Sequence, residues 1–256
     1  MTHIKKKYLG QHFLHDKKTV EKVASSLKQC GLSYSHLLEI GPGEGSLTSF
    51  LVKLDNIDLH LVEIDKELNS HLHLHYSQLE GKIHLEDFLQ MDLHRIFKAE
   101  QVGVIGNFPY NISSQILIKV IENREIIPEM VGMFQKEVAQ RVTAKPGSKV
   151  YGRITVIVNA FYDTEYLFSV SKGVFSPPPQ VESAVIRLTR KENFHLACNE
   201  RKFSTVVASA FNQRRKTLRN ALKSLLHDGH TVPEDILDLR AERLSVDDFI
   251  MITNNL

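Results

Sequence analysis

Residues 37–48 read LLEIGPGEGSLT, and this stretch decides the fold. The apolar run before Gly41 predicts a buried strand, and the residues after Gly45 predict a helix that begins near Ser46. Glycine lets the backbone pass close to a ligand, and the amino end of a helix offers N–H groups without intrahelical partners. The stretch therefore predicts a strand, a turn and a helix around a ligand, with a tight connection that binds nothing as the alternative.

The spacing of the glycines indicates which ligand this loop suits. Gly41, Gly43 and Gly45 follow G-x-G-x-G with Pro42 between the first two, whereas the dinucleotide fingerprint is G-x-G-x-x-G. Glu63 ends the next apolar run, 22 residues after Gly41. In a doubly wound fold, a carboxylate at that place accepts the hydroxyl hydrogens of an adenosine ribose. The pattern favours a nucleoside ligand without a pyrophosphate over NAD.

The rest of the chain alternates short apolar runs with amphipathic stretches. The predicted strands are HLLEI (36–40), DLHLVEI (58–64), KIHLE (82–86), VGVIGN (102–107) and EMVGMFQ (129–135). Helices are expected after Gly45, Lys66, Ser113 and Lys136. Such alternation predicts an α/β fold with a mostly parallel sheet flanked by helices.

The last third of the chain follows a different pattern. TEYLFSV (164–170) and VESAVIRL (181–188) resemble two strands without an intervening helix, which predicts an antiparallel hairpin at the sheet edge. From Asn199 onward the apolar spacing is helical. We therefore expect a catalytic domain over residues 1–190 and a small all-helical domain over residues 191–256.

Two more predicted strands end in polar groups that extend the site. Asp87 follows the run KIHLE, and Asn107 ends VGVIGN within the stretch GNFPYN (106–111). Open α/β sheets bind ligands at the carboxyl ends of their strands. Gly41, Glu63, Asp87 and Asn107 therefore predict one crevice, although Asp87 alone would more often be a helix cap.

Composition indicates the class of protein and its partners. The chain has 256 residues, 42% of them apolar and 24% charged, which is ordinary for a soluble protein. It contains neither an apolar window long enough to span a membrane nor a secretory signal, so we expect a cytoplasmic protein with no membrane partner. Cys30 and Cys198 are far apart and lack metal-type spacing, which fits a reducing compartment.

The net charge of +2 conceals a basic segment. Residues 187–223 carry ten Lys or Arg against two acids, whereas residues 224–256 carry two Arg against seven acids. A polyanion such as nucleic acid would suit the basic segment, and a solvated surface is the alternative.

Seven motifs in this order resemble the ribosomal RNA adenine N6,N6-dimethyltransferases, the bacterial small-subunit (16S) enzymes most closely. They are LGQHFL, EIGPGEGSLT, LVEID, NFPYN, QKEVAQR, FSPPPQVESAV and AFNQRRKTLRNAL, which together run from residue 9 to residue 222. The resemblance implies a class I methyltransferase fold, S-adenosyl-L-methionine as methyl donor, and a helical C-terminal domain that engages RNA. The implied reaction is dimethylation of two adjacent adenosines near the 3′ end of small-subunit rRNA, during ribosome biogenesis.

The resemblance also implies roles for individual residues. The implied cofactor contacts are His12, Leu14, Gly41, Gly43, Glu63, Asp87 and Asn107. The family usually has Asn at the position of His12, and an imidazole does not reproduce the donor and acceptor pair of an amide. The backbone of His12 could still serve as the contact, and a contact through its side chain stays open.

The target amine and its base have their own predicted partners. The side-chain oxygen of Asn107 and the carbonyl of Pro109 would accept the two N6 hydrogens and favour a tetrahedral nitrogen as positive charge develops. Tyr110 would stack on one face of the base and Phe175 on the other. Core packing is the alternative for both rings.

For RNA, the segment NQRRKTLRNALK predicts a basic stripe on one helical face. The residues expected to contact phosphates are Lys5, Lys6, Lys7, Arg214, Arg215, Lys216, Arg219 and Lys223. The expected partner is small-subunit rRNA in an assembly intermediate, and the protein is expected to be a monomer.

Other interpretations stay open at this point. A large-subunit rRNA or DNA adenine N6-methyltransferase would share the fold, and a noncatalytic RNA-binding assembly factor could have kept it. An NAD-dependent oxidoreductase is disfavoured by the glycine spacing. His71 and His75 in HLHLHY share a helix face, but without a third ligand they predict no metal site.

Overall fold

The computed structural model describes residues 11–28 and 34–256. Within them the strands are β1 Phe13–Leu14, β2 His36–Ile40, β3 Asp58–Glu63, β4 Ile83–Leu85, β5 Val102–Asn107, β6 Glu129–Gln135, β7 Tyr162–Val170, β8 Phe175–Ser176 and β9 Ser183–Arg190. The helices are α1 Lys17–Ala24, α2 Thr48–Leu51, α3 Lys66–His75, α4 Leu93–Phe97, α5 Ser113–Glu122, α6 Lys136–Val142, α7 Arg153–Phe161, α8 Glu200–Asn212, α9 Leu218–Ala221, α10 Glu234–Leu237 and α11 Val246–Asn255.

A seven-stranded sheet has the order β4-β3-β2-β5-β6-β9-β7. The pairs β4/β3, β3/β2, β2/β5 and β5/β6 are parallel, and β9 is antiparallel to β6. The predicted α/β class with a mostly parallel sheet and an antiparallel edge is confirmed. The central strands are apolar on both faces, as buried parallel strands require, and Leu37, Leu38 and Val104 are fully buried.

A second, two-stranded sheet joins β1 to β8, with Leu14 opposite Phe175. The sequence did not predict this sheet, because each strand has only two residues and nothing local marks their pairing. Its consequence is functional, since it fixes the segment that carries His12 beside the segment that begins FSPPP.

By its contacts the chain forms two compact units. The first contains the described residues of Met1–Ala139 and Glu165–Arg190, and the second contains Gln140–Thr164 and Lys191–Leu256. One break lies at residues 190 and 191, whereas the segment 140–164 groups with the second unit rather than the first. The division into catalytic and RNA-engaging domains stays a prediction.

The second unit is helical, as expected from Asn199 onward, and it also includes α7, which the sequence did not predict. α7 is almost wholly buried, so it lacks the polar face that marks an amphipathic helix. At the start of α11, Ser245 and Asp248 form a reciprocal capping box. No helix among the described residues is long and apolar enough to cross a membrane.

Candidate functional site

The carboxyl ends of four neighbouring strands open into one cavity of about 220 Å³. Gly41 follows β2, Glu63 ends β3, Asp87 follows β4 and Asn107 ends β5, and all four line it. Side chains from the segment 11–14 complete the lining. The crevice predicted from the strand ends is therefore present in the first unit.

The glycine loop leaves backbone open to this cavity. Gly41 has φ +63°, and no heavy atom lies within 4 Å of the place where a Cβ would stand. At Gly43, with φ +59°, a Cβ would lie 2.8 Å from the ring of Phe13. Gly41 thus offers a surface without a side chain, while Gly43 lets Phe13 close against the loop.

Glu63 is a buried acceptor held by the backbone. Its Oε2 accepts a hydrogen bond from the N–H of Gly43 at 3.1 Å, and its Oε1 accepts one from the N–H of Asp65 at 2.9 Å. Burial raises the pKa of the carboxyl, and these two N–H groups oppose the rise. A carboxylate has about four acceptor positions, so Glu63 keeps acceptor capacity for the hydroxyls of a ligand.

Glu39 is a second buried acid, which the sequence presented only as a strand residue. It is 1% exposed and lines the cavity, and Thr48 Oγ1 donates a hydrogen bond to its Oε2 at 2.7 Å. Burial, together with the charge of Glu63, raises its pKa to about 8. Near neutral pH the protonated form therefore dominates, and one negative charge fewer lies beneath the glycine loop.

Asp87 serves as a turn cap and also lines the cavity. Its Oδ1 accepts the N–H of Leu89 at 2.9 Å, so the side chain caps a turn and not a helix, which was the alternative in the sequence. The side chain is half-buried. Because one carboxylate oxygen suffices for the cap, the other is available to an exocyclic amine.

The amide of Asn107 has a defined orientation. Its Nδ2 donates to the backbone carbonyl of His12 at 2.9 Å. A carbonyl oxygen only accepts, so the amide nitrogen must face it, and this assignment comes from the hydrogen bond itself. The side-chain oxygen accepts no hydrogen bond from the described residues and remains available in the cavity.

The ring of His12 connects three parts of the site. Nδ1 lies 2.8 Å from the carbonyl oxygen of Pro177, so this nitrogen carries the hydrogen. The ring also stacks with Tyr110, with centroids 5.6 Å apart and planes 25° apart. The backbone carbonyl of His12 is occupied by Asn107, and a cofactor contact of His12 stays a prediction.

Tyr110 is held at its hydroxyl by a residue that the sequence did not single out. Its hydroxyl lies 2.7 Å from Oγ of Ser183, which is fully buried at the start of β9. Burial raises the pKa of Tyr110. The motif FSPPPQVESAV contains Ser183, but only the pairing of β9 with β6 brings its hydroxyl to Tyr110.

Two further predicted residues lie where their elements place them. Leu14 is 6% exposed and forms one wall of the cavity from β1. The Pro109 carbonyl accepts hydrogen bonds from the N–H of Ile112 and from Oγ of Ser113, each at 3.3 Å. These bonds are long and therefore weak. The role of Pro109 as an acceptor stays a prediction.

The structure does not bring Phe175 into the cavity. It is 2% exposed, belongs to the hydrophobic core, and lies opposite Leu14 in the β1/β8 pair. The position of Phe175 in this structure does not support stacking on the second face of a base, and that role stays a prediction. Core packing, the alternative considered for each aromatic, applies here because the β1/β8 pairing leaves the ring in the interior.

The basic stripe of the second unit is not on one helix. α8 ends at Asn212, Gln213 leaves the helical region with φ −118° and ψ 48°, and α9 begins only at Leu218. The expected single helical face is wrong. α8 ends here because its buried side chains extend only as far as Ala210. The following residues QRRKT supply no buried side chain that would stabilise further helical turns.

The arginines and lysines of this segment also differ in availability. Arg219 contacts Oε2 of Glu234 at 2.5 Å and Oδ1 of Asp238 at 3.0 Å. Arg214 donates to the carbonyl of Lys149 and lies near Glu242. The exposed members that form no ion pair within the described part of the chain are Arg215, Lys216 and Lys223. The expected contacts Lys5, Lys6 and Lys7 lie outside the described residues.

Known proteins match this chain over nearly its whole length. The sequence matches the family described as "Ribosomal RNA adenine dimethylase" over residues 2–256. Two relatives carry the name "Ribosomal RNA small subunit methyltransferase A". The Flavobacterium johnsoniae protein is 49% identical over 98% of this chain and 95% of its own length. The Bacteroides thetaiotaomicron protein is 50% identical over 97% of this chain and 92% of its own length.

Solved structures agree on the fold. A dimethyladenosine transferase from Plasmodium falciparum superimposes with a TM-score of 0.80 at 25% identity, covering 94% of this chain and 96% of that chain. The 23S rRNA methyltransferase ErmE gives a TM-score of 0.67 at 24% identity, covering 94% and 99% of the two chains, and supports the fold alone.

Proposed function

The chain belongs to the ribosomal RNA adenine dimethylase family, and we propose that it dimethylates N6 of two adjacent adenosines near the 3′ end of small-subunit rRNA. The observation that carries the chemistry is the fixed amide of Asn107, whose nitrogen is bound to His12 and whose oxygen is free to accept. This oxygen lies in the same cavity as the glycine loop and the two strand-end acids.

The cavity residues fit S-adenosyl-L-methionine as the donor. That cofactor supplies an electrophilic methyl group on a sulfonium when bound. Gly41 offers open backbone, Glu63 offers acceptor positions suited to ribose hydroxyls, and Asp87 offers one carboxylate oxygen suited to an adenine amine. His12, Leu14 and Gly43 also line the cavity.

Asn107 acts on the target amine. The exocyclic nitrogen of adenine is a poor nucleophile because its lone pair is delocalised into the ring. When the Asn107 oxygen and the Pro109 carbonyl accept its two hydrogens, they favour a tetrahedral nitrogen and stabilise the positive charge that develops on it. The long hydrogen bonds that Pro109 now accepts are weak enough to be exchanged for this contact.

The same acceptors tolerate a second transfer. In the first transfer the bond between sulfur and the methyl carbon breaks as the bond to nitrogen forms, and the cationic product loses one proton to water. One hydrogen of the amine has then been replaced by carbon, so only one acceptor is still satisfied. An unpaired neutral amide oxygen costs less than an unpaired carboxylate would. A neutral Asn107 is therefore compatible with dimethylation.

Tyr110 holds the base in position. Stacking of a base on an aromatic ring contributes roughly 1 to 3 kcal/mol, which offsets part of the few kcal/mol that removing the base from its stack costs. The hydrogen bond to Ser183 keeps the tyrosine ring in place before the base arrives.

The remaining proposals concern the partner. The substrate is small-subunit rRNA within an assembly intermediate of the subunit. The protein acts on it in the cytoplasm, as a monomer. The helical second unit supplies phosphate contacts through Arg215, Lys216 and Lys223, which are exposed. Such contacts position the RNA without reading its sequence.

The test is methyl transfer from labelled S-adenosyl-L-methionine to small ribosomal subunits that lack the modification, followed by nucleoside analysis. We expect labelled N6,N6-dimethyladenosine in the small-subunit rRNA. Label found only in large-subunit rRNA, supplied as a competing substrate, would reject the proposal, as would the absence of transfer to either RNA.

A further inference from the structure

Three side chains that the sequence did not connect converge at the amino ends of β2 and β3. His36 begins β2, Asp58 begins β3 directly opposite it, and His60 lies two residues further along β3. The catalytic cavity opens at the carboxyl ends of the same strands. This cluster is therefore remote from methyl transfer, and the proposed function assigns it no role.

The ligand atoms of this triad lie at metal-site separations. Oδ2 of Asp58 lies 3.1 Å from Nδ1 of His36 and 3.2 Å from Nε2 of His60, and all three atoms lie within 4.8 Å of one another. Ligands about 2.0 to 2.1 Å from a tetrahedral Zn²⁺ are roughly 3.3 to 3.4 Å apart. Both short edges are close to this separation, and in this structure the edge from His60 to Asp58 is a hydrogen bond that a metal ion would replace.

A buried ring nitrogen in this cluster lacks a hydrogen bond. Nδ1 of His36 is close to Asp58, yet the contact is outside hydrogen-bond geometry, and no other partner exists among the described residues. A buried polar atom normally finds a partner. Nδ1 of His36 and Oδ2 of Asp58 are close but do not form a hydrogen bond. This arrangement is expected when both atoms direct their lone pairs at a metal ion between them.

The second ring nitrogen of each imidazole, which would face away from the metal ion, also has a polar partner. Nε2 of His36 lies 2.7 Å from Oε2 of Glu100, and Nδ1 of His60 lies 3.1 Å from Nε2 of His84. Because a carboxylate only accepts, Nε2 of His36 carries a proton, and in the neutral ring Nδ1 is then the nitrogen with a lone pair for a metal ion. Metal-binding histidines almost always have such a partner on the second nitrogen, which fixes tautomer and ring orientation.

The surroundings restrict water and balance charge. The buried ring of Phe97 packs against both imidazoles, with centroids 5.7 Å from His36 and 5.0 Å from His60. Lys82 pairs with Oδ1 of Asp58, leaving Oδ2 to the triad. With Asp58 and Glu100 opposing Lys82, the cluster carries one net negative charge when its histidines are neutral.

We propose that His36, Asp58 and His60 bind a divalent first-row metal ion, Zn²⁺ by ligand type, with water in the fourth position. Two imidazoles and a carboxylate are a usual zinc ligand set. In the bound form His60 carries its proton on Nδ1 and donates it to His84, so both rings stay neutral. The metal joins the first residues of two neighbouring strands and stabilises the folded chain by mass action.

The test uses the full-length chain without an affinity tag, freed of metal by chelation. Calorimetric titration with Zn²⁺ should give one site per chain, and Zn²⁺ should raise the thermal midpoint. His60→Asn should abolish this binding. Glu100→Gln keeps an acceptor oxygen but removes the negative charge that holds the outer nitrogen of His36, and Glu100 is exposed, so the variant should fold normally and weaken binding roughly 10-fold.

The matched control is His71→Asn. His71, which is half-buried, and His75, which is exposed, lie together on α3 with ring centroids 4.0 Å apart, so they are the competing place for adventitious zinc. This variant should bind Zn²⁺ as the unaltered chain does. Two results would overturn the proposal. One is loss of Zn²⁺ binding in His71→Asn together with full affinity in Glu100→Gln, and the other is no binding by the unaltered chain at micromolar Zn²⁺. Methyl transfer should be unchanged in Glu100→Gln, which separates this result from the proposed function.

Discussion

Nδ2 of Asn107 donates a hydrogen bond to the carbonyl oxygen of His12 at 2.9 Å, across a sequence separation of 95 residues. The bond joins the segment before β1 to the carboxyl end of β5. Because the amide nitrogen is used in this bond, the side-chain oxygen is the atom of the amide that can accept a hydrogen bond in the cavity. The orientation of the proposed catalytic amide therefore depends on a backbone atom that no side-chain substitution at residue 12 removes.

Asn107→Asp tests this orientation with almost no change in volume. The new carboxylate would place an oxygen against the His12 carbonyl, where two acceptors repel and the site loses its fixed geometry. We expect the single-turnover rate of methyl transfer to fall by roughly 100-fold or more. Cofactor affinity, measured by calorimetry, should change far less, and Asn107→Ala should behave similarly. Turnover near that of the unaltered chain would refute the role of Asn107.

Tyr110 is expected to act through its ring, with its hydroxyl as an anchor. Tyr110→Ala should lower kcat/KM by about 5- to 150-fold, which corresponds to the roughly 1 to 3 kcal/mol of a stacked base. Tyr110→Phe keeps the ring and should lower kcat/KM only a few-fold. Steady-state kinetics on small subunits distinguishes the two, and equal reductions in both variants would contradict stacking.

Ser183→Ala should free the Tyr110 ring without removing it. Removal of a hydrogen bond of this kind costs about 1 kcal/mol, so we expect a several-fold rise in KM with a smaller change in kcat. The chain offers a matched control, because Tyr166 and Ser169 form an exposed hydroxyl pair at the same 2.7 Å. Ser169→Ala should leave the kinetics unchanged, and a similar effect of both serine variants would exclude a specific role for Ser183.

Glu39 should make stability decrease with rising pH. Burial raises its pKa from the ordinary 4.5 to about 8 in the folded chain. The folded state therefore holds a proton that the unfolded state releases, and the stability from this group is complete below about pH 4.5 and lost as pH rises through about 8. Urea unfolding between pH 5 and 9 measures this slope.

Glu39→Gln should reduce that slope, because the amide keeps an acceptor for Thr48 and no longer titrates. Glu63, whose pKa is also raised by burial, should preserve part of the dependence. Glu80→Gln at an exposed position serves as the control and should leave the slope unchanged. An unaltered slope in Glu39→Gln would show that Glu39 does not hold a proton in the folded state.

Local signals in the sequence were enough to predict the sheet and the crevice. β5 and β6 match their predicted ranges residue for residue. Short apolar runs with polar ends are typical of buried strands in an α/β chain, so the bounds could be taken from the sequence. Parallel strands place their carboxyl ends at one edge, so Gly41, Glu63 and Asn107 could be grouped without coordinates.

Contacts between distant segments could not be predicted in the same way. The β1/β8 pair, the Ser183 anchor and the burial of Phe175 all depend on which segments meet, and no local pattern encodes that meeting. The end of α8 was missed for a related reason. The sequence NQRRKTLRNALK has the residue spacing of one continuous helix. Between Phe211 and Leu218, however, no side chain is buried, so no packing contact stabilises a helix there.

Arg215 and Lys216 should contribute more to RNA affinity than Arg219. The first two are exposed without ion pairs in the described chain, whereas Arg219 is paired with Glu234 and Asp238. Reversal of charge at Arg215 and Lys216 should weaken binding to small-subunit rRNA and reduce the salt slope by roughly 0.7 to 0.9 for each phosphate that the protein no longer neutralises. Filter binding over a range of salt concentrations gives both quantities.

Two further variants make that comparison specific. Arg219→Gln should change RNA affinity little, because its charge is already neutralised by two carboxylates. Charge reversal at both Arg201 and Lys202, which are exposed on α8, controls for the change in total charge. Equal weakening in all the variants would mean that net charge, and not the segment 214–223, governs binding.

Gly41 and Gly81 form a matched pair for the role of the glycine loop. Both have positive φ, +63° and +77°, and neither has a heavy atom within 4 Å of a would-be Cβ. Alanine at either position should therefore cost a similar strain of about 1 to 2 kcal/mol. Only Gly41 lines the cavity, so its new methyl group would occupy the space of a ligand. We expect Gly41→Ala to weaken S-adenosyl-L-methionine binding at least tenfold in calorimetry, while Gly81→Ala binds it normally at the same loss of stability. Equal affinities in the two variants would show that the loop does not contact the cofactor.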